Sequence, residues 1–187
     1  MGRRPIADIR FRKQTAASSE VAGAAMSRSD FTIREFQASD AACLARLYFE
    51  SARTLGRRRY SAEQVAAWAP APVSTEIVKA RALDGRLTLV ATDDDGAVIA
   101  YGDLEQDGHI DHLYAHPAAA GRGIAAALLD ALIEAAEASG MKELRVEASE
   151  LAKGLFQRAG FTTVARRDFE VNGVLIHNFA MTRVREP

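Results

Sequence analysis

Leu113-Tyr-Ala-His-Pro117-Ala-Ala-Ala-Gly121-Arg-Gly123-Ile-Ala-Ala-Ala-Leu-Leu129 is the stretch on which the fold turns. It leaves a strand, bends through two glycines and enters a helix. At a helix start the first amides have no intrahelical partner, and the dipole end is positive. Glycines let the backbone approach an anion closely, so the segment reads as a phosphate cradle. Arg122 adds a candidate charge-assisted contact. No Gly-Lys-Ser/Thr follows, which excludes a nucleoside-triphosphate P-loop. The dinucleotide fingerprint fails too, because it needs three spaced glycines.

Working outward, Ile124, Leu128, Leu132 and Ala135 recur at helical spacing, and Gly140 ends that helix. Upstream, a strand runs from His109 to His116. Two more cover about Arg86 to Thr92 and Ala97 to Leu104, with Asp95-Gly96 as their turn. Phe31 to Phe36 alternates as a first strand. Ser39 or Asp40 caps a helix through Leu44, Leu47 and Tyr48. Ser61-Ala-Glu-Gln64 is a capping box opening a short helix that Pro70 and Pro72 stop. A further helix spans Thr75 to Ala82. Downstream come a strand at Leu144–Val146, a helix at Leu151–Arg158, and two strands joined by Val171-Asn172-Gly173-Val174, a hairpin signal. A strand–helix–strand passage within an antiparallel run predicts a mixed α/β sheet.

The 187 residues suit one domain, 28–187. Residues 1–27 read as a disordered tail, or as the product of an upstream start with Met26 the true beginning. A transit peptide is the less favoured reading of their arginines and serines. Net charge is −1, so no global field points to nucleic acid or to a membrane surface. A single cysteine, Cys43, excludes an intramolecular disulfide framework. A reducing, cytoplasmic location is expected.

The central stretch resembles the acyl-CoA motif of the GNAT superfamily, Gln/Arg-x-x-Gly-x-Gly/Ala. Gly123 and Ala125 match its last two defined positions. Ala120 stands where Gln or Arg is usual, which removes a side-chain contact and leaves the amides. Ala152-Lys-Gly-Leu-Phe156-Gln-Arg-Ala-Gly160-Phe161 is similar to the family's closing helix. Ala67-Trp68-Ala69-Pro70 and Asn178-Phe179-Ala180-Met181 are similar to the YafP-type subgroup.

The resemblance implies a mostly antiparallel twisted sheet of about seven strands flanked by helices, with acetyl-CoA at the splay between two central strands. Backbone groups near Leu113 and Ala115 would pair with pantetheine. Amides of Gly121, Arg122, Gly123, Ile124 and Ala125 would hold the pyrophosphate. Ser149 stands where relatives often carry Asn near the cofactor. Phe156 stands where many carry a Tyr that protonates the leaving sulfur, so Tyr114 or a water would have to substitute. Tyr60 and Trp68 fall in the segment that lines the acceptor cleft, with core packing as the competing reading.

The implied activity is acetyl transfer to a primary amine by direct attack. A non-catalytic acyl-CoA-binding module is the alternative, favoured by Phe156 and Ala120. The partner is a small-molecule or peptide amine; neither nucleic acid nor membrane is expected, and a homodimer is left open. An amine attacks only when neutral. A lysine-like amine is about 3.4 units short of this at pH 7, roughly 4.6 kcal/mol. A general base would relieve part of that. His109 falls where relatives often place a basic Glu. Alternation puts His109, Asp111 and Leu113 on one strand face, so Asp111 could raise the imidazole pKa or act as the base itself. Three of the four histidines lie between 109 and 116, but the same alternation separates them, and no metal is expected.

Overall fold

The computed structural model describes residues 9–11 and 31–185. In chain order the elements are β1 (Ile9–Phe11), β2 (Phe31–Glu35), α1 (Ala41–Leu55), α2 (Ala62–Trp68), α3 (Thr75–Ala82), β3 (Leu87–Thr92), β4 (Val98–Leu104), β5 (His109–Ile110), β6 (Leu113–Ala115), α4 (Ile124–Ala138), β7 (Glu143–Ala148), α5 (Lys153–Arg158), β8 (Thr162–Val171) and β9 (Val174–Val184). One sheet runs β1-β2-β3-β4-β6 and the other β5-β7-β9-β8. All pairings are antiparallel except β5 with β7.

Local chemistry sets the element boundaries. Asp40 is buried before α1, where Arg34 grips its carboxylate at 2.7 and 2.9 Å and the Gln37 amide donates to it. Ser61 and Gln64 form the expected reciprocal capping box of α2. Asn172 and Gly173 take φ of 51° and 78°, the left-handed pair that an Asn-Gly hairpin turn needs.

Two differences from the sequence reading matter. The strand expected over His109–His116 is broken at Asp111-His112. Asp103 causes the break: its carboxylate accepts the His112 amide at 3.0 Å, and its own amide donates to the His112 carbonyl at 3.0 Å. The chain thus leaves one sheet and joins the other, which opens the splay. Ile9–Phe11 also pairs with β2, although no element was expected there. The rest of residues 1–27, read as a tail, lies outside the described residues.

Helix α4 buries Ile124, Leu128, Leu129, Leu132 and Ile133 against the inner sheet face, which adds Ile33, Leu89, Leu144, Val146 and Met181. Burial of such side chains contributes about 1.5–3 kcal/mol each before entropy is charged. A separate apolar cluster of Tyr60, Val65 and Ile176 ties α2 to β9. Among the described residues no helix is long and apolar enough to cross a membrane.

Candidate active site

The splay between β6 and β7 opens into a cleft of about 820 Å³. One end is the turn into α4. Gly121 and Gly123 take φ of 81° and 83°, and Gly123 is the N-cap. A Cβ at either glycine would meet nothing within 4 Å, so their requirement is backbone conformation, not space. The first hydrogen bond into the helix comes from Ala127 to Gly123, at 3.1 Å. The amides of Ile124, Ala125 and Ala126 thus form an unsatisfied first turn, and all three residues line the cleft. This end fits a diphosphate. Ala120, Gly121 and Gly123 line it too, while Arg122 is exposed outside the lining.

The middle of the cleft is bounded by Leu113, Tyr114 and Ala115 on one side and Val146 to Ser149 on the other. Strand β6 is an edge strand, paired only with β4 in its sheet. Its outer backbone edge therefore faces the cleft. Ser149 lines the cleft, but its hydroxyl accepts the Ala152 amide at 3.2 Å. It initiates the turn into α5. Phe156 also lines the cleft. It is 2% exposed and stacks edge-on with Phe161 at 5.2 Å, so most of the ring is core.

At the far end, β7, β9 and β8 turn one face towards α2. Glu147, Arg167 and Asn178 lie there, with Tyr60 and Trp68 on the facing segment. Glu147 is doubly held: Oε2 lies 2.7 Å from His109 Nε2, and Oε1 lies 3.0 Å from Arg167 Nη1. The other nitrogen of His109, Nδ1, faces Glu105 Oε2 at 3.2 Å. His109 is therefore enclosed between two carboxylates and does not line the cleft, whereas Glu147 does.

Asp111 lines the cleft but is committed elsewhere. It pairs with Arg81 and with Arg86. The expected pairing of Asp111 with the His109 imidazole is replaced by Glu105 and Glu147, because the break after Ile110 turns Asp111 towards the two arginines. Glu105, His109 and Asp111 bring their ligand atoms within 4.8 Å of one another. Arg86, 3.0 Å from Glu105 and also paired with Asp111, supplies there the positive charge a cation would bring.

Tyr114 packs edge-on against Tyr48 at 4.9 Å and beside His112 at 5.3 Å. Burial, with Tyr48 alongside, raises its phenol well above the usual value. Proton donation from it to a thiolate with a pKa of about 8.5 would run uphill. Burial also lowers His112 to about 4, so this histidine is neutral near pH 7. Tyr60 is a wall residue whose hydroxyl is used: it donates to the His177 carbonyl at 3.0 Å and accepts the Glu150 amide at 2.7 Å.

Sequence reasoning passed over Glu147 as a site residue. The available signal was alternation along Leu144-Arg-Val-Glu-Ala148, where apolar residues mark the core face and Arg145 and Glu147 the other. Arg167 was missed as well, since nothing local marks its partner across the sheet.

Residues 57–183 match the acetyltransferase (GNAT) domain, and the chain belongs to that family. It is an N-acetyltransferase of the GNAT fold. It is similar to YafP of Escherichia coli K12, described as an uncharacterized N-acetyltransferase, at 29% identity over 153 residues, 82% of this chain and 95% of that protein. A GCN5-related N-acetyltransferase structure from Rhodopseudomonas palustris aligns with a TM-score of 0.75 and 36% identity, over 82% of this chain and 94% of that one. A phosphinothricin acetyltransferase from Sinorhizobium meliloti, solved with acetyl-CoA, aligns at 0.68 with 23% identity, over 82% and 88%. The non-catalytic alternative finds no support among these relatives.

Proposed function

We propose that the protein transfers an acetyl group from acetyl-CoA directly to a primary amine in this cleft. One observation carries the reading: a single cleft joins the unsatisfied first turn of α4 to the Glu147 carboxylate through the open edge of β6. The first-turn amides of Ile124 to Ala126 take the diphosphate, and backbone groups of Leu113 and Ala115 align the pantetheine arm. Amides along this edge stabilise the oxyanion formed as the amine attacks the thioester carbon. The C–S bond then breaks and the thiolate leaves.

Glu147 accepts the proton released by the attacking nitrogen. His109 is a positioning residue: it holds one carboxylate oxygen while Glu105 fixes the far side of its ring. Asp111, taken up by two arginines, is not the base. Thiolate is a tolerable leaving group near neutral pH, so Phe156 in place of Tyr does not forbid turnover. Steady-state thiol release with a panel of primary amines tests the proposal. Amine-dependent release supports it; none with any amine, despite acetyl-CoA binding, overturns it.

A further inference from the structure

We infer that the acceptor is an amino acid with an apolar side chain, its carboxylate held by Arg58 while its amine faces Glu147. This rests on the acetyl-transfer reading above and names the substrate class for the same cleft.

The charged side chains lining the cleft are Arg58, Asp111, Glu147, Arg158 and Arg167. Arg81 and Arg86 hold Asp111, and Arg167 with His109 holds Glu147. Arg58 and Arg158 are left over, since neither side chain has an ion pair or hydrogen bond among the described residues. The two lie on different faces. Arg158 follows Leu155 and Phe156 on α5, which pack on the α4 core. One of its guanidinium nitrogens lies 3.5 Å from where a Cβ on Gly154 would stand, so the side chain lies back along α5, on the cofactor side.

Arg58 belongs to the turn between α1 and α2, two residues before Tyr60. Of Arg57, Arg58 and Arg59, only Arg58 lines the cleft. Its turn is closely packed: a Cβ on Gly56 would stand only 3.0 Å from Val65 Cγ1. Tyr60 ties the same turn to the opposite wall, accepting the Glu150 amide at 2.7 Å and donating to the His177 carbonyl at 3.0 Å. Glu150 is three residues beyond Glu147. An exposed cation on one wall thus stands across from the carboxylate on the other.

This arrangement suits a zwitterion. A primary amine reaches the cleft mostly as its ammonium form. With no anion of its own it would meet the Arg58 charge uncompensated. An amino acid offers its carboxylate to the planar guanidinium, which takes it through two parallel N–H donors. The side chain follows from the walls. Trp68, Phe169 and Val171 are only partly buried, pack on the cluster of Tyr60, Val65 and Ile176, and line the cleft. They offer an apolar surface beside the two charges.

The experiment compares L-phenylalanine, L-leucine and L-methionine, each with its amide, and glycine, as acceptors for the full chain. The amide removes the negative charge and has the less basic amine, so a preference for the acid cannot come from amine reactivity. For at least one of the three, kcat/KM of the acid is expected to exceed that of its amide and of glycine by at least about 10-fold. Arg58→Gln should lower the acid-to-amide ratio at least about 10-fold. Arg58→Lys, which keeps the charge without the fork, should lower it less. Arg158→Gln should leave the ratio as in wild type. Amides used as well as acids, or glycine preferred, overturns the inference. So does a wild-type ratio in Arg58→Gln, or a loss of the ratio in Arg158→Gln instead. If Arg58→Gln does not fold, the wild-type pairs and Arg58→Lys still decide. A wild-type protein that transfers to other amines but to none of these acids overturns the inference alone. One that transfers to no amine overturns the acetyl-transfer reading and the inference with it.

Discussion

The carboxylate of Glu147 and the imidazole of His109 are joined at 2.7 Å across the parallel pairing of β5 with β7. Only Glu147 of the two faces the cleft. The pair is thus ordered: Glu147 borders the cleft, and His109 behind it holds one of its carboxylate oxygens while meeting Glu105 with its other nitrogen.

Glu147→Gln is expected to lower kcat/KM by about 10²-fold. His109→Leu should cost less. It removes a contact that holds one carboxylate oxygen of Glu147 in place. Asp111→Asn should leave the rate near wild type, since Arg81 and Arg86 already hold that carboxylate. kcat/KM of the three variants, measured with one amine, checks this. A wild-type rate in Glu147→Gln, with a severe loss in Asp111→Asn, would return the base to Asp111.

Acetyl-CoA at 100 times its Kd should stabilise the fold by about 2.7 kcal/mol. Ala125→Glu places a carboxylate at the first turn of α4 without touching the left-handed glycines. It should weaken the ligand-induced thermal shift and leave the unliganded Tm close to wild type. Gly123→Ala is a poorer probe, because φ of 83° strains any side chain whatever the ligand does. An unchanged shift in Ala125→Glu would move the diphosphate elsewhere.

How much of this was legible in advance differs by region. The cradle was legible because its signal is local: two glycines between a strand and an apolar-periodic helix. The α2 capping box and the Asn172-Gly173 hairpin were legible for the same reason. The break at Asp111-His112 was not, because it depends on Asp103 of another strand. Once the strand breaks, a two-residue periodicity no longer says which groups pair. The actual partners of His109 and Asp111 were therefore not legible, although both residues were noticed. Glu147 and Arg167 are separated by 20 positions and meet only through β9, beyond the reach of a single sequence.

His112 carries a pH consequence. Burial is the largest cause of its lowered pKa; Asp103 pulls the other way, and Arg81 and Arg86 add to the lowering. The folded value, about 4, lies below the ordinary 6.5 of an unfolded histidine. The unfolded chain thus binds the proton first as pH falls. Stability from keeping this ring neutral is complete above about pH 6.5 and drains away towards pH 4, on the order of 3 kcal/mol in all. Chemical denaturation between pH 7 and 4 should show this slope, and His112→Gln should flatten it. An equal slope in that variant would assign the acid sensitivity to other groups.

Phe156→Ala should destabilise the fold by about 3–5 kcal/mol, because the ring is 2% exposed and packed on Phe161. Phe156→Tyr should keep acetyl-CoA binding near normal, since the ring borders the cleft without holding the cofactor backbone contacts. Tm and thermal shift measure both. A silent Phe156→Ala would place α5 away from the acyl site.

The most direct test follows the acetyl group itself. Purified protein and acetyl-CoA, incubated with each of a panel of primary amines, are quenched over time. Free CoA thiol and N-acetylated amine are then quantified in the same samples. The expected result is equal molar yields of the two with at least one primary amine, both falling together in Glu147→Gln. Thiol released without any N-acetyl product, or no turnover with any amine while acetyl-CoA still stabilises the protein, would contradict direct acetyl transfer in this cleft.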